Sequence, residues 1–163
     1  MELKLLKIND VTQKYVSWFS SKEVIKFSDN QYSNFTLESQ KQYVYECINN
    51  EKKALFGLFS EGEHIGNIIL KNICSFHRRA EIGYVIGEKK YWGKGFGKKA
   101  VKLIIYKAKN EFKLNKLYAS TVKENIGSIK VLEKNSFKLE GLRINHLYYN
   151  ERFYDQLDYG LIL

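Results

Sequence analysis

A single domain of mixed α/β architecture is the fold class that this sequence predicts, and three observations carry it. Strand-like runs alternate with single helical patterns in mid-chain, hairpin patterns close the sequence, and a loop with glycine at 93, 95 and 97 joins a strand pattern to a long helical one. With 163 residues, 44% of them hydrophobic, the chain can bury one substantial core. No linker, repeat or low-complexity run divides residues 1–163. Proline is absent, which leaves turns to the 11 glycines and to Asn, Asp and Ser.

Residues 2–8 alternate as a first strand; Met1–Lys7 lacks a small-residue cleavage site and is read as structure, not as a signal peptide. Asp10 or Thr12 caps a helix with Val11, Tyr15, Val16, Trp18 and Phe19 on its apolar side, ended by Ser20-Ser21. A helical turn at Glu23–Phe27 leads into a polar segment, Ser28–Phe35, without a period. Thr36-Leu37-Glu38-Ser39 opens another helix, buried along Leu37, Tyr43, Val44 and Ile48. Residues 53–60 and 64–73 form a hairpin about Glu61-Gly62-Glu63, and a strand at 80–86 follows a loop at Ser75–Arg78. From Lys98 to Lys113 the pattern is helical: Val101, Ile105, Ala108 and Phe112 form one stripe, Lys98, Lys102, Lys109 and Lys113 another. Lys116–Val122 is a fifth strand and Asn125–Asn135 a helix. Phe137–Leu147 and Phe153–Leu163 pair about Asn150-Glu151. The total is about seven strands and about four helices.

Charge singles out one stretch. Between Lys89 and Lys116 stand ten lysines and one acid, Glu111, whereas the other 17 basic and 17 acidic residues cancel. The whole net charge of +9 therefore lies on the glycine loop and the helix it opens. Part of that helix is a solvated face, but Lys89, Lys90, Lys94, Lys98 and Lys99 crowd the loop itself. Glycines admit an anion close to the backbone, and the first N–H groups of a helix have no partner inside it, so strand, glycine loop and helix outline a phosphate cradle. No 18-residue apolar run spans a membrane. Cys47 and Cys74 match no metal or redox spacing and read as buried thiols of a cytoplasmic protein with no metal. A nucleic-acid-binding module is the rival class, but the aromatics lie away from the lysines, and no nucleic-acid partner is expected.

Several glycine-loop machines fail on this sequence. A P-loop needs Gly-Lys followed by Ser or Thr; here Gly97-Lys98 is followed by Lys99 and Gly93-Lys94 by Gly95. A dinucleotide fold needs Gly-x-Gly-x-x-Gly on an early strand. The catalytic and metal-binding motifs of a protein kinase are missing.

Trp92-Gly93-Lys94-Gly95-Phe96-Gly97 resembles the pyrophosphate motif of the GNAT superfamily of acetyl-CoA-dependent N-acetyltransferases: Gln or Arg, two residues, Gly, one residue, then Gly or Ala. Tryptophan stands in the first place. Asn125-Ile126-Gly127-Ser128, Leu132-Glu133-Lys134 and Phe137 resemble the family's second cofactor motif. Tyr91-Trp92-Gly93-Lys94-Gly95 and Glu140-Gly141-Leu142-Arg143 look like the Rim-type branch of ribosomal-protein acetyltransferases. His77-Arg78-Arg79-Ala80-Glu81 also resembles spermidine and surface-polysaccharide acetyltransferases. The resemblance covers nearly the whole chain and is strongest over residues 64–142. It implies a GNAT fold, with a mixed, mostly antiparallel central sheet, and acetyl-CoA as co-substrate.

Carried onto this chain, the resemblance implies a strand 81–86 that splays from its neighbour, with the main-chain groups of Tyr84, Val85 and Ile86 binding the pantetheine arm and thioester. The pyrophosphate would lie on the amides of Trp92, Gly93, Lys94, Gly95, Phe96, Gly97 and Lys98, and Asn125 and Ser128 would face the arm near the sulfur. Asn125 reads equally as a helix cap. Glu81 is the candidate base, acting through a water, with a salt bridge to Arg78 or Arg79 as its alternative. Many relatives carry a general-acid tyrosine where this chain has Leu132, so Ser128 or water supplies the proton, or the thiolate leaves unaided. His77 reads as a loop residue.

For the acceptor, residues 23–36 and the hairpin 146–154 offer Phe27, Tyr32, Phe35, His146, Tyr148, Tyr149, Phe153 and Tyr154, an aromatic wall or simply a core hairpin. Only Glu23 and Asp29 are available there to hold a polyamine. A small amine such as a nucleotide-linked amino sugar is the leading expectation, with a protein N-terminal amine or a polyamine as alternatives. A chain that binds CoA without turnover is a third reading. An aromatic C-terminal hairpin also makes a homodimer a reasonable expectation.

Overall fold

Glu61 and Gly62, with φ of 52° and 79°, close the first hairpin in the computed structural model, which describes residues 1–163. Two positive φ values match a two-residue turn to the twist of its strands, here β2 (Ala54–Ser60) and β3 (Glu63–Cys74). Asn150 and Glu151, at 48° and 60°, do the same between β6 (Lys138–Tyr149) and β7 (Arg152–Ile162). With β1 (Glu2–Leu5), β4 (Arg79–Ile86) and β5 (Lys116–Val122) they form one seven-stranded sheet in the order β1-β2-β3-β4-β5-β7-β6. Only β4 and β5 run parallel; the other neighbours are antiparallel.

Five helices accompany the sheet, one more than expected: α1 (Gln13–Trp18), α2 (Lys22–Ile25), α3 (Leu37–Ile48), α4 (Phe96–Asn110) and α5 (Ile126–Glu133). The extra one is α2, a single turn. β1 stops at Leu5 because Ile8–Asp10 form a tight helical turn, with Asp10 accepting from the amide of Lys7 at 2.8 Å. That engages Asp10 and leaves Thr12 as the cap of α1, accepting from the Tyr15 amide. On α3 the buried side is Gln40, Val44 and Cys47. Of the expected side, Val44 is buried and Leu37 and Tyr43 pack against the same cluster, whereas Ile48 is 56% exposed and Cys47 takes its place.

The sheet divides the core in two. On one face Ala80, Ile82, Leu117 and Ala119 pack against Ala100, Val101, Ile104 and Ala108 of α4 and Leu132 of α5. Full burial of a Leu or Ile in such a layer contributes about 1.5–3 kcal/mol relative to exposure. On the other face Tyr15, Val16 and Trp18 of α1 and Val44 and Cys47 of α3 pack on Leu6, Leu55 and Ile69. No residue of β5, β6 or β7 joins that second cluster. Over β5, β6 and β7 the segment 27–32 instead reaches the hairpin end, Phe27 against Tyr154 and Asp29 and Tyr32 against Tyr149, and the rest is uncovered.

Candidate active site

β4 and β5 pair at three positions only: Arg79 with Lys116, Ala80 with Leu117, and Glu81 with Tyr118. Beyond Glu81 they diverge, although β4 runs on to Ile86 and β5 to Val122. The Gly87 amide bonds to Ile65 O at 2.9 Å, which fixes the phase of the β3–β4 ladder. By alternation, residues 81, 83 and 85 turn their main-chain groups to β3, and 82, 84 and 86 turn theirs to the fork. The main chain of Tyr84 and the amide of Ile86 thus face the gap. Val85, expected to offer its main chain, spends it on β3. The Ile86 carbonyl accepts the Trp92 indole N–H at 2.7 Å. So the tryptophan in the motif's first place braces the end of β4.

Gly93 and Gly95 have φ of 72° and 82°, and a Cβ built on either meets nothing within 4 Å. Backbone conformation, not crowding, selects glycine there. Gly97 is the opposite case: its added Cβ would lie 3.2 Å from Val131 Cγ2, so its bareness lets α4 approach α5. The amides of Gly93 to Lys98 have no acceptor in the protein. The Trp92 amide, grouped with them in the sequence reading, is already bonded to Lys89 O. Lys89 and Lys90 are also occupied, paired with Glu23 and with Glu63 (2.7 Å). Glu63 further accepts from Lys14 and from Tyr91 (2.7 Å). These donors, Lys14 first, hold its carboxyl well below the usual range, at about 2. Lys98 lines the cleft with Lys130 of α5 and with Lys134 at the C-terminal end of that helix; Lys134 stands in the second cofactor motif, whereas Lys130 is not among the expected site residues. Free amides at a helix N-terminus, an open glycine concavity and nearby ammonium groups fit a pyrophosphate.

Asn125 caps α5, its Oδ1 accepting from the Ser128 amide at 3.2 Å. Ser128 Oγ lies 2.9 Å from the hydroxyl of Tyr84. Leu132 is buried in the core, away from solvent. Glu81 sits at the vertex of the fork, in the last β4–β5 pair. Its carboxylate pairs with Lys71 at 2.9 Å and accepts from Asn72 at 3.0 Å. That corrects the expected partner: Arg79 makes no ion pair and Arg78 bonds to Lys113 O, whereas Lys71 stands directly opposite Glu81 on β3. His77 lies exposed in the β3–β4 loop.

Glu81, Tyr84, Ile86, Trp92, the three loop glycines, Lys98, Asn125 and Ser128 share one cleft of about 2000 Å³. That exceeds an ordinary small-molecule pocket and suits an extended ligand meeting a second one. Of the expected aromatic wall, Phe27, Phe35 and Tyr149 line it. Tyr149 donates to Asp29 Oδ1 at 2.7 Å, and burial followed by that carboxylate pushes its phenol up. Tyr32 is 62% exposed and stacks on Tyr149 from outside, Tyr148 and Phe153 pair with each other at the hairpin tip, His146 is exposed, and Tyr154 lies edge-on to Phe27. The uncovered part of β5, β6 and β7 adds Ser120, Glu140, Arg143 and Asp158. Their carboxylates are paired, Glu140 with Lys116 and Asp158 with Arg143, each at 2.7 Å. No group of three or more His, Cys, Asp or Glu is placed to hold a metal ion. No helix is long and apolar enough to cross a membrane.

Residues 1–138 match the family described as acetyltransferase (GNAT) domain. Over 148 residues the chain is 33% identical to an uncharacterized N-acetyltransferase, p20, of Bacillus licheniformis, covering 87% of this chain and 81% of that protein. Over 114 residues it is 33% identical to the probable N-acetyltransferase YjcK of Bacillus subtilis (strain 168), covering 66% of this chain and 62% of that protein. The fold is similar to that of RimL, a ribosomal L7/L12 α-N-protein acetyltransferase solved with coenzyme A (TM-score 0.88, 18% identity, 99% of this chain and 93% of that one). It is similar also to that of a spermidine N-acetyltransferase from Vibrio cholerae solved with CoA and spermine (TM-score 0.87, 18% identity, 99% and 94%).

Proposed function

The chain belongs to the GNAT family of acetyl-CoA-dependent N-acetyltransferases, and on that premise we propose that it acetylates a small polar primary amine, such as a nucleotide-linked amino sugar, by direct attack on the thioester. The amides of Gly93 to Lys98, with Lys98, Lys130 and Lys134, hold the pyrophosphate. The open edge of β4 at Tyr84 and Ile86 orients the pantetheine arm and polarises the thioester carbonyl. Val85 borders the arm by its side chain, and Asn125 and Ser128 flank the sulfur. Glu81, at the fork, takes the amine proton through a water, and Ser128 donates to the leaving sulfur.

One observation carries the acceptor class. Glu81, Glu140 and Asp158 are each already paired with a cation at the acceptor end. A polyamine would find one carboxylate without a cation, Asp29, which accepts from Tyr149, and would have to displace cations to reach a second, whereas a hydroxylated amine needs only the hydrogen bonds that Ser, Asn and Gln side chains there supply. A protein N-terminal amine is the second reading, favoured by the exposed stretch of β5, β6 and β7 around Ser120, Arg143 and Asp158, which leaves the groove open. Both cysteines are free thiols, in keeping with a cytoplasmic setting.

Thiol release measured with acetyl-CoA and a panel of amino sugars, polyamines and N-terminal peptides tests the reading. We expect single-site acetyl-CoA binding by titration calorimetry and turnover that is highest with the amino sugars. Preference for spermidine would overturn the acceptor class, and absence of CoA binding the whole scheme.

A further inference from the structure

Tyr84 lies in the part of β4 that runs past the fork, and its ring packs into the α4–α5 side of the core. A Cβ on Gly97 would stand 4.0 Å from that ring, so the side chain fills the space where the glycine loop meets α5. Both polar contacts of its hydroxyl go to one residue: Ser128 Oγ at 2.9 Å and Ser128 O at 3.4 Å. Ser128 is in turn fixed on the first turn of α5 by the cap from Asn125. Tyr84 and Ser128 both line the cleft.

We propose that Tyr84 is a positioning residue for the proton-transfer step, its O–H donating to Ser128 Oγ so that the Ser128 hydrogen is turned into the cleft toward the departing sulfur. The proposal rests on the acetyl-transfer reading above. A phenol is the stronger donor of the two hydroxyls and a serine oxygen the better acceptor, which sets the direction of the bond. Burial pushes the Tyr84 phenol up to about 12 despite the opposing pull of Ser128, so it keeps its proton at neutral pH. Having accepted from Tyr84, Ser128 can point its own hydrogen only at a different partner, and the cleft is the open side.

The protons balance without a further reagent. The amine nitrogen releases one through a cleft water to Glu81 as its bond to the acetyl carbon forms. The C–S bond breaks, the sulfur takes the Ser128 hydrogen, and Ser128 Oγ recovers one from cleft water, which Glu81 replaces when it gives up its own. Throughout, the Tyr84 O–H steadies charge building on the serine oxygen. A strand tyrosine acting through a helix serine thus serves the leaving group in a chain whose position 132 is a buried leucine.

Tyr84→Phe keeps the ring and removes only the oxygen, so packing against α5 is retained. We expect its single-turnover acetylation rate to fall roughly tenfold while acetyl-CoA affinity stays within about twofold of wild type. Ser128→Ala should be slowed at least as much, and adding Tyr84→Phe to it should slow it no further, because the phenol acts only through the serine. A wild-type rate in Tyr84→Phe overturns the proposal, as does a tenfold loss that persists undiminished in the Ser128→Ala background. A wild-type protein that releases no thiol with any amine refutes the acetyl-transfer reading and this proposal with it. Normal wild-type turnover alongside an unaffected Tyr84→Phe refutes this proposal alone.

Discussion

Glu81 shows how much of a residue's role depends on neighbours distant in sequence. Period two places it on the same side of the strand as Gly83 and Val85, and the sequence offers it as the candidate base. The partner on Lys71 follows from β3–β4 register, which no local pattern states. Replacing Glu81 by Gln keeps the shape and the bond from Asn72 but removes the proton acceptor. Turnover should fall about a hundredfold with acetyl-CoA affinity nearly unchanged. A wild-type pH–rate profile in the variant would remove Glu81 as base. Trp92 teaches the same lesson from the other side. Its place in the motif was legible, but its indole on Ile86 O and its amide on Lys89 O were not, because both bonds arise from how the loop folds back on β4.

At the scale of elements, the strand–loop–helix unit is where local chemistry and global fold agree, and there the sequence was most informative. The glycine spacing, the lysine excess and the strand pattern all point to one anion cradle. The structure distributes the three glycines between two jobs, conformation at 93 and 95 and helix approach at 97. Lys130 is not legible as a site residue because it belongs to another helix, and only the α4–α5 contact brings it to the loop. For Gly95→Val, a left-handed conformation costs a β-carbon-bearing residue about 1–2 kcal/mol. The melting temperature should drop by roughly 2–8 °C, while the branched side chain obstructs the concavity and weakens acetyl-CoA binding at least tenfold, by an order-of-magnitude reading of the lost amide contacts. Unchanged affinity in the folded variant, measured by calorimetry, would move the pyrophosphate elsewhere. The acceptor side was less legible. Aromatic residues at 27, 35 and 149 reach the cleft while those at 148 and 153 do not, and nothing in the hairpin's alternation distinguishes wall from tip.

For the molecule as a whole, charge is the property that the sequence distributes most unevenly. Because the net +9 is confined to residues 89–116, added salt should act on cofactor capture rather than on folding. Going from about 0.05 to 0.5 M monovalent salt, which shortens the screening length to a few ångströms, we expect acetyl-CoA affinity to fall several-fold and the melting temperature to change little. A salt-independent dissociation constant would mean that the lysines do not face the bound phosphates. The fork between β4 and β5 has a broader consequence. Three residue pairs rivet a four-stranded ribbon, β1 to β4, to a three-stranded ribbon of β5, β7 and β6. The glycine loop issues from the first ribbon, and the paired charges of the acceptor floor lie largely on the second. On the proposed scheme, one ribbon can drift in sequence toward a new amine while the other keeps its hold on the same acetyl donor. The donor's proposed residues fall in short motifs that a sequence displays, whereas those proposed for the acceptor are scattered over residues 27–35, 81 and 140–158.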